Sequence, residues 1–479
     1  MRPTFRLLDD AQLDALHVAA LEVLSDPGIR ATTGEARALL LDAGASAGEG
    51  DVVRIPDRLV EDALASAPST FTVYGRDGDE RLRLGEGNVY FGSGVTALEY
   101  LEPGAGEPRD FRLDDVAAAT RLTDALANLD FMTTPGVVRP SDEMRVELAN
   151  QHEFVAMVSN TTKPLMVLIA DGRSLEDVLE MAEIVAGGRD AHRERPFVMP
   201  YLNSVSPLLF NPETLDKLLL SADRGIPVCC QAAPVMGATA PVTLAGAIAI
   251  AAAETLAGLV LSQLKRPGTP FITGTVPFGM EMWKGNVTNG GPTSLRFMIA
   301  MCELARRWRL PLVGVSAGGD SKLPDEQAAV DLTYYGFGAM LGGVDLVFDA
   351  GNIEGGLQYS PEVATMADEV VGMLRGALEP VDIDDASLAI DVIRSVGIGG
   401  TYLGEPHTLA NFRSLWMPKL LSWHARDDWA AAGAKTLRER TADRVRDLLE
   451  HHEPERLPRE TIEAMERVIE ARAAALTRT

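Results

Sequence analysis

The segment SAGGDSKLPDEQAA, residues 316–329, places ionisable side chains between two apolar runs. Its polar side chains after the glycines are Asp320, Ser321, Lys322, Asp325, Glu326 and Gln327. Glycines let a chain turn tightly at the end of a strand, because they lack a Cβ atom. An acid and a base held at such a turn, Asp320 and Lys322, suit a pocket that fixes the charge of a substrate. Acids at 325 and 326 also suit the first turn of a helix that begins after Pro324, so this role stays open for them.

Polar side chains also follow other apolar, strand-like runs of the chain. In chain order they are Tyr201, Asn203, Ser206, Gln231, Thr275, Asn352, Glu354 and Gln358. The runs themselves are almost wholly apolar, so the polar residues concentrate where each run ends. In a parallel α/β fold the carboxyl ends of the strands meet at one face, and that face carries the chemistry. We therefore expect these side chains, with Asp320 and Lys322, to surround one substrate cavity.

Strand-like runs recur along the chain from about residue 129 onward. They begin near residues 129, 163, 195, 226, 269, 310 and 344, with helical patterns between them. This alternation predicts an α/β fold with a parallel sheet, and we expect a closed (β/α)8 TIM barrel. An open doubly wound sheet is the alternative. The eighth strand is placed at GTYLGEP, residues 400–406, with NVYFGSG, residues 88–94, as the second choice.

The patterns at the two ends of the chain differ from that of the barrel. Residues 1–110 mix helical runs with strands closed by glycines, and we expect an N-terminal α+β cap there. Residues 111–420 are assigned to the barrel catalytic domain, and the charged residues 421–479 to a C-terminal helical extension. A G-x-G-x-x-A string at residues 92–97 lacks the helix that a dinucleotide site needs, so we interpret it as a glycine turn.

Composition argues against several classes of protein. The 479 residues carry 69 acids against 44 bases, a formal net charge of −25, so a nucleic-acid partner is not expected. Three cysteines without C-x-x-C spacing and seven histidines without H-x-x-x-H or H-x-H spacing argue against a disulfide framework and a metal site. The acidic N-terminus does not resemble a signal peptide, and we expect a cytoplasmic protein.

One apolar stretch, PVTLAGAIAIAAAETLAGLVL at residues 241–261, is long enough to span a membrane and carries a single charge, Glu254. Its alanines and glycines are weakly hydrophobic, and the sequence offers no second such stretch. We therefore expect a buried helix, packed between the sheet and a neighbouring helix or a second subunit, and no membrane contact. A homo-oligomer stays open.

Four longer strings carry a family resemblance. They are SPLLF after a Tyr-x-Asn, GATAPVTLAGAIAIAAAETLAGLVLSQLKRPGTP, DSKLPDEQAA and GIGGTYLGEPHTLANFR. With them, the chain resembles the trimethylamine methyltransferase family from its opening helix to about residue 420, and in particular the members without pyrrolysine, which include glycine betaine methyltransferase. The resemblance implies a (β/α)8 barrel that transfers a methyl group from an amine to Co(I) of a corrinoid (cobalamin). A corrinoid-binding D-x-H-x-x-G string is absent, since residues 190–195 lack the glycine, so we expect a separate protein to carry the cofactor.

The trimethylamine-specific members of the family carry pyrrolysine inside the barrel, and this sequence contains none. The resemblance therefore implies a quaternary amine as the substrate, because a quaternary nitrogen already carries the positive charge that makes a neutral amine leaving group. Aromatic or acidic groups would then surround the N-methyl groups. The candidates for this role are Tyr201, Phe278, Trp283, Tyr359 and Glu354. Lys322 or Lys284 would neutralise a substrate carboxylate. His407 in GEPHT matches the family pattern, and it either contacts substrate or orients a loop.

The sequence thus predicts a cytoplasmic, corrinoid-dependent methyltransferase that acts on a quaternary amine of the betaine type. The catalytic candidates are Asp320, Lys322, Glu354 and His407, and the substrate-binding candidates are Tyr201, Asn203, Ser206, Gln231, Thr275, Phe278, Trp283, Gln327, Asn352, Gln358 and Tyr359. Two alternatives stay open. A TIM-barrel lyase or hydrolase that uses Lys322 and nearby carboxylates predicts turnover without a corrinoid partner, and a non-catalytic betaine-binding protein predicts binding without methyl transfer.

Overall fold

The structure of the protein, a computed structural model, describes residues 4–139, 145–289, 291–315 and 318–478. Its strands, in chain order, are β1 (Ile29–Ala31), β2 (Ser46–Ala47), β3 (Val52–Arg54), β4 (Phe71–Tyr74), β5 (Glu80–Leu84), β6 (Tyr90–Ser93), β7 (Glu99–Tyr100), β8 (Arg109–Asp110), β9 (Met132–Thr133), β10 (Leu165–Leu168), β11 (Val198–Asn203), β12 (Leu209–Phe210), β13 (Val228–Ala232), β14 (Phe271–Thr275), β15 (Gly279–Glu281), β16 (Asn286–Thr288), β17 (Leu312–Val315), β18 (Leu346–Ala350), β19 (Asn352–Ile353) and β20 (Gln358–Tyr359).

The α-helices, in chain order, are α1 (Asp10–Ser25), α2 (Gly34–Asp42), α3 (Asp57–Ser66), α4 (Leu113–Ala125), α5 (Ala149–Val158), α6 (Gly172–Ala186), α7 (Arg189–Glu194), α8 (Pro212–Arg224), α9 (Leu244–Lys265), α10 (Gly291–Trp308), α11 (Glu326–Gly342), α12 (Pro361–Ala377), α13 (Asp385–Leu388), α14 (Ile390–Val396), α15 (Pro406–Asn411), α16 (Arg426–Ala431), α17 (Leu437–His451) and α18 (Arg459–Arg478). Short 3-10 turns lie at Val146–Leu148, Glu354–Gly356 and Phe412–Ser414.

Eight of these strands form one parallel sheet in the order β6-β18-β17-β14-β13-β11-β10-β9. From β9 to β18 the strands follow one another around the sheet as they do along the chain, without the reversal of a doubly wound sheet. The two end strands also approach each other, through a bridge between Gly92 of β6 and Phe131 next to β9. The sheet is therefore a nearly closed (β/α)8 barrel, which confirms the predicted fold.

The eighth strand, however, is not where the sequence analysis placed it. Residues 400–405 include a bend and a turn and lead into α15, which begins at Pro406, and Leu403 is 89% exposed. The second choice is correct, because β6 lies within residues 88–94 and pairs with β18. Phe91 and Ser93 of β6 are fully buried, as a barrel strand requires, since helices cover one face and the barrel core the other. The barrel thus takes its first strand from within the predicted N-terminal cap, and the boundaries at 110 and 420 remain predictions.

The side chains of the barrel strands alternate between the interior and the surrounding helices. Cys229 of β13 lies in an interior cluster with Tyr201 of β11. Cys230 instead faces α9, where a Cβ atom on Gly258 would lie 2.6 Å from its sulfur. Because successive strand residues point to opposite faces, Gln231 returns to the interior. A polar residue therefore stands on the inward face near the carboxyl end of this strand.

The helix α9 covers most of the membrane-length stretch and is buried within the protein. It packs against β13, α1, α3 and α8, and 78% of its most apolar window is buried. Glu254, near its middle, accepts hydrogen bonds from the hydroxyls of Ser204 and Ser206 at 2.6 and 2.8 Å and from the Leu208 amide at 2.8 Å. Burial raises the pKa of this carboxyl. The helix is a core helix, as predicted, and its carboxylate holds the loop that follows β11.

The two ends of the chain pack on the outside of the barrel. Helices α1 and α3 contact α9, α17 contacts α4 and α12, and α18 contacts α5 and α6. Arg472 of α18 forms a two-bond ion pair with Asp177 of α6, with nitrogen–oxygen distances of 2.6 and 2.7 Å. These helices brace the amino-terminal and carboxyl-terminal parts against the barrel helices, and they leave the carboxyl ends of the strands to loops.

Candidate active site

A cavity of about 170 Å³ opens at the carboxyl ends of the barrel strands. Its wall comes from the ends of β6, β10, β11, β13, β14, β17 and β18 and from the loops that follow them. In barrel enzymes this face carries the reactive groups. Pockets for drug-sized ligands measure roughly 300–1,000 Å³, so this cavity suits a smaller organic molecule.

Aromatic rings form one part of the wall. Tyr201 of β11 and Phe348 of β18 meet edge to face inside the barrel, with ring centroids 5.6 Å apart and planes at 81°. Phe278, in the loop after β14, adds a third ring. Burial, and secondarily the nearby Asp349, raise the pKa of Tyr201, so its phenol stays neutral. Because aromatic faces attract cations through their quadrupoles, this wall favours a positively charged group.

Asp349 is the acidic side chain among the described residues that line the cavity. It is 4% exposed at the end of β18, and its backbone φ of +82° is rare for a residue other than glycine. Such strain costs on the order of 1–3 kcal/mol and concentrates at functional sites. Burial raises the pKa of Asp349 to about 7, and no lysine, arginine or histidine of the described residues lowers it. Asp349 is therefore a buried acid without a counter-charge.

Asn352 holds this acid in place. Its Nδ2 donates to Asp349 Oδ1 at 3.3 Å and to the Val95 carbonyl oxygen at 3.0 Å. The packing depends on two glycines, because a Cβ atom on Gly94 would lie 1.9 Å from Asn352 Oδ1 and one on Gly318 would lie 3.0 Å from Asp349 Cβ. The glycine string at residues 92–97 thus gives Asn352 the space to reach the acid.

Several buried amides near the cavity lack hydrogen-bond partners in the described part of the chain. They are Asn203 Oδ1, Asn352 Oδ1 and both polar atoms of Gln231. Gln231 is in register with Asn203 of β11 and with Gly274 of β14, so its amide enters the barrel at the level of the cavity wall. An unsatisfied buried polar group costs roughly 1–3 kcal/mol, which a ligand or a water molecule can recover by bonding to it.

The polar segment after β17 lies behind the cavity wall, and its residues 316 and 317 lie outside the described residues. The Glu354 amide donates to the Ser321 carbonyl oxygen at 2.7 Å, which ties this segment to the loop after β18. Asp320 Oδ1 accepts from the backbone amide of Asn289 at 3.1 Å, and Asn289 lines the cavity. Asp320 therefore supports the wall from behind.

The remainder of this polar segment serves the start of α11. Asp325 caps the helix by accepting from the amides of Gln327 and Ala328 at 3.0 and 3.3 Å, and Gln327 is exposed in the first turn. Lys322 is exposed, and its Nζ donates to the Asp320 carbonyl oxygen at 2.6 Å rather than to a carboxylate. The helix-capping role left open for Asp325 is the one that the structure shows.

Part of the predicted site does converge. The predicted residues on the cavity wall are Tyr201, Asn203, Phe278 and Asn352. Gln231, Asp320 and Glu354 lie next to the wall through the strand register and loop contacts given above. The roles proposed for these residues remain predictions, but the structure brings them to one place.

Four other predicted residues are not among the described residues that line the cavity. The Ser206 hydroxyl is bonded to α9. Thr275 is buried on the outward face of β14, since it lies an odd number of residues from the inward Ile272. Gln358 Nε2 donates to the Glu354 carboxylate. Tyr359 is fully buried in an aromatic cluster outside the cavity lining.

Three predicted residues lie on or near the surface. Trp283, at the tip of the β15–β16 hairpin, is 95% exposed, and Lys284 follows it in the same exposed turn. His407 lies on α15, and its carbonyl oxygen accepts from Asn411 Nδ2 at 2.8 Å. None of the three is among the described residues that line the cavity.

Asp349 and Phe348 of the cavity wall are not among the residues predicted from the sequence. Both belong to the run VDLVFDAGN, in which the acid stands next to last in an apolar strand and two residues before Gly351. An acid in that position was a usable signal for a site residue. Phe348 carried no comparable signal, because its inward direction follows from the pleat of the strand rather than from its residue type.

The chain is similar to several known proteins. A family model described as trimethylamine methyltransferase (MTTB) matches residues 1–477. The trimethylamine methyltransferase MttB of Desulfitobacterium hafniense (strain DSM 10664 / DCB-2) is 34% identical over 465 residues, which cover 96% of this chain and 92% of that protein. A glycine betaine methyltransferase of Desulfitobacterium hafniense (strain Y51) is 29% identical over 464 residues, 94% of each chain. The solved monomethylamine methyltransferase MtmB of Methanosarcina barkeri covers 93% of this chain and 88% of its own, with a TM-score of 0.53 at 13% identity, a likeness of fold alone.

Proposed function

Because the chain belongs to the trimethylamine methyltransferase family, we propose that it transfers a methyl group from a small quaternary amine to Co(I) of a corrinoid held by a separate protein. The observation that carries this proposal is the cavity, in which the rings of Tyr201, Phe278 and Phe348 surround a space that also contains the buried carboxyl of Asp349. Aromatic faces and a carboxylate together are the groups that bind a quaternary ammonium. The names of the relatives, which act on trimethylamine and glycine betaine, support a methylated amine.

In the proposed reaction the bond between nitrogen and one methyl carbon breaks, and its electron pair stays on nitrogen, so that a neutral amine leaves. The corrinoid, when its carrier protein docks, supplies the nucleophile that takes the methyl group. The residues of this chain orient and desolvate the substrate. Tyr201, Phe278 and Phe348 hold the remaining N-methyl groups, and Asp349 balances the ammonium charge. No proton transfer is needed in the substrate, which agrees with a wall whose ionisable groups, among the described residues, are Tyr201 and Asp349.

The assignment of the corrinoid to a partner agrees with the surroundings of His192, the histidine of the incomplete motif at residues 190–195. The side chain is 2% exposed, and its ring centroid lies 5.2 Å from that of Phe197. Burial, with a smaller contribution from Arg224, lowers the pKa of His192 to about 4. A histidine packed in this way serves the core and is not presented to a bound corrinoid.

The lyase or hydrolase alternative has less support from the structure. It relied on Lys322 as an acid or base, but that ammonium group is exposed and bonded to the Asp320 carbonyl oxygen. General acid–base catalysis requires groups within hydrogen-bond reach of the substrate. The described wall of the cavity contains no lysine or histidine.

The proposed function is tested by methyl transfer to reduced free cob(I)alamin, followed through the change in cobalt absorbance. Quaternary amines and the tertiary amines derived from them are assayed separately with the purified protein, and a reaction without protein is the control. We expect transfer from at least one quaternary amine and none from its tertiary counterpart. Transfer from no quaternary amine, with free cob(I)alamin and with a purified corrinoid protein alike, would contradict the proposal.

A further inference from the structure

The described wall of the cavity carries an acidic side chain but no basic one. Asp349 contributes a carboxyl, and the described lining residues include no lysine, arginine or histidine. The two lysines predicted to meet a substrate carboxylate lie elsewhere, since Lys322 is bonded to the Asp320 carbonyl oxygen and Lys284 is exposed on the β15–β16 hairpin. A buried carboxylate without a cation is costly, and so would be a second one placed beside it.

Two hydrogen-bonding groups of the described wall favour a ligand without a carboxylate, whereas the Gln231 amide, whose Nε2 and Oε1 both lack partners among the described residues, can bond a donor or an acceptor. Asn352 Nδ2 is already engaged by Val95 and Asp349, which leaves its Oδ1 as a buried acceptor without a partner among the described residues. Asn203 Oδ1 is a second buried acceptor without a partner there. A ligand carboxylate needs donors, whereas these two acceptors and Asp349 suit a cation or a hydroxyl donor.

We propose that the cavity selects a quaternary amine that carries no carboxylate, and that Asp349 is the counter-charge that recognises its ammonium group. This inference rests on the proposed function and narrows its substrate class from betaines to net-cationic amines such as amino alcohols methylated on nitrogen. The rings of Tyr201, Phe278 and Phe348 contribute to affinity for either class, so Asp349 is the residue that distinguishes them. The shape of the methylated end does not distinguish the two classes, because both carry the same trimethylammonium group. A tert-butyl group fills the same space without the charge.

Isothermal titration calorimetry on the full chain tests this without any methyl transfer. The probes are choline, glycine betaine and 3,3-dimethylbutan-1-ol, which is the uncharged isostere of choline. We expect choline to bind at least tenfold more tightly than either of the others. In Asp349→Asn we expect choline to bind about as weakly as the isostere, whose own affinity stays unchanged. Asp391→Asn is the matched control, because that acid is 95% exposed and paired with Arg394 on the surface.

Two results would overturn the inference. One is glycine betaine binding as tightly as choline in the wild-type protein, a comparison that does not depend on the folding of any variant. The other is a folded Asp349→Asn protein that keeps its affinity for choline. Failure of the proposed function can be told apart from failure of this inference. Choline binding without any methyl transfer would contradict the function but agree with the inference. Methyl transfer from glycine betaine but not from choline would support the function and contradict the inference.

Discussion

Asn352 donates from its side-chain amide to the carboxylate of Asp349 at 3.3 Å, and the same nitrogen bonds the Val95 carbonyl oxygen at 3.0 Å. Val95 follows β6, whereas Asp349 lies one residue before the end of β18, so this one amide joins two neighbouring barrel strands that lie far apart in the sequence. The position of the buried acid therefore depends on the pairing of β6 with β18, and the Gly94→Ala prediction below tests that dependence.

Gly94→Ala is expected to displace Asn352, because the added Cβ atom would lie 1.9 Å from Asn352 Oδ1. Overpacking of this kind costs about 1–3 kcal/mol of unfolding free energy. We also expect choline affinity to fall at least tenfold, since Asp349 loses its support. Gly106→Ala is the control, because a Cβ atom there meets nothing within 4 Å. Urea unfolding and calorimetry measure the two effects, and equal behaviour of both variants would contradict the account.

Asp349→Asn is expected to stabilise the protein at pH 8 more than at pH 5.5. Burial raises the pKa of Asp349 to about 7, against about 3.9 for an unfolded aspartate, although a hydrogen bond with the Val95 backbone opposes the rise. Tyr201 and Asn352 also face the carboxyl. The folded state binds the proton more tightly between these values, so wild-type stability falls as the pH rises through this window and stays low above pH 7. Asparagine at position 349 does not ionise, so the variant does not lose this stability as the pH rises. Urea midpoints at the two pH values provide the measurement, and a difference independent of pH would be inconsistent with a raised pKa.

Phe278→Leu is expected to weaken choline binding by about 2- to 30-fold, because a cation over a desolvated ring gains about 0.5–2 kcal/mol. Trp283→Leu is expected to change it less than twofold, since that ring is 95% exposed at a hairpin tip. These two variants show which of the two aromatic residues, both in the segment after β14, contacts the ligand. Calorimetric titration decides between them, and a larger effect at Trp283 would restore its predicted role as a substrate contact.

Asp320→Ala is expected to weaken choline binding about 3- to 10-fold, because the Asn289 backbone amide loses its acceptor and the wall behind the cavity loosens. Lys322→Ala is expected to leave binding within twofold, since its ammonium group is exposed and bonded to a backbone oxygen. Methyl-transfer rates and calorimetry check both variants. No effect in either variant would remove this segment from the functional site.

The fold was largely readable from the sequence because its signal is repetitive. Each barrel strand from β10 to β18 is an apolar run followed by a helical pattern, and one missed unit does not change the architecture. The eighth strand was assigned first to the wrong residues, because β6 is a run of only four residues in a region of hairpins and short helices. β6 is buried because it pairs with β18, which lies far away in the sequence. A local pattern of residues cannot predict such a distant pairing partner.

The site was readable only where residue type and strand end coincided. Tyr201, Asn203 and Asn352 satisfied that rule and line the cavity. Lys322 satisfied it as well, and Trp283 lies further along the segment after β14, yet both are exposed, because a loop can turn a side chain outward after the strand ends. Asp349 could not be singled out as a buried, uncompensated acid, since its burial and its positive φ arise from Asn352, Gly94 and Gly318 meeting in space.

The pairing of β6 with β18 has a consequence for synthesis of the protein in the cell. A ribosome adds about 5–20 residues per second, so roughly 250 residues separate the emergence of these strands by tens of seconds. During that time β6, with Phe91, leaves the exit tunnel without the neighbour that buries it in the finished molecule. An unpaired apolar strand is a template for association with other chains. In the nascent protein β6 therefore stays without this partner until β18 has also left the exit tunnel.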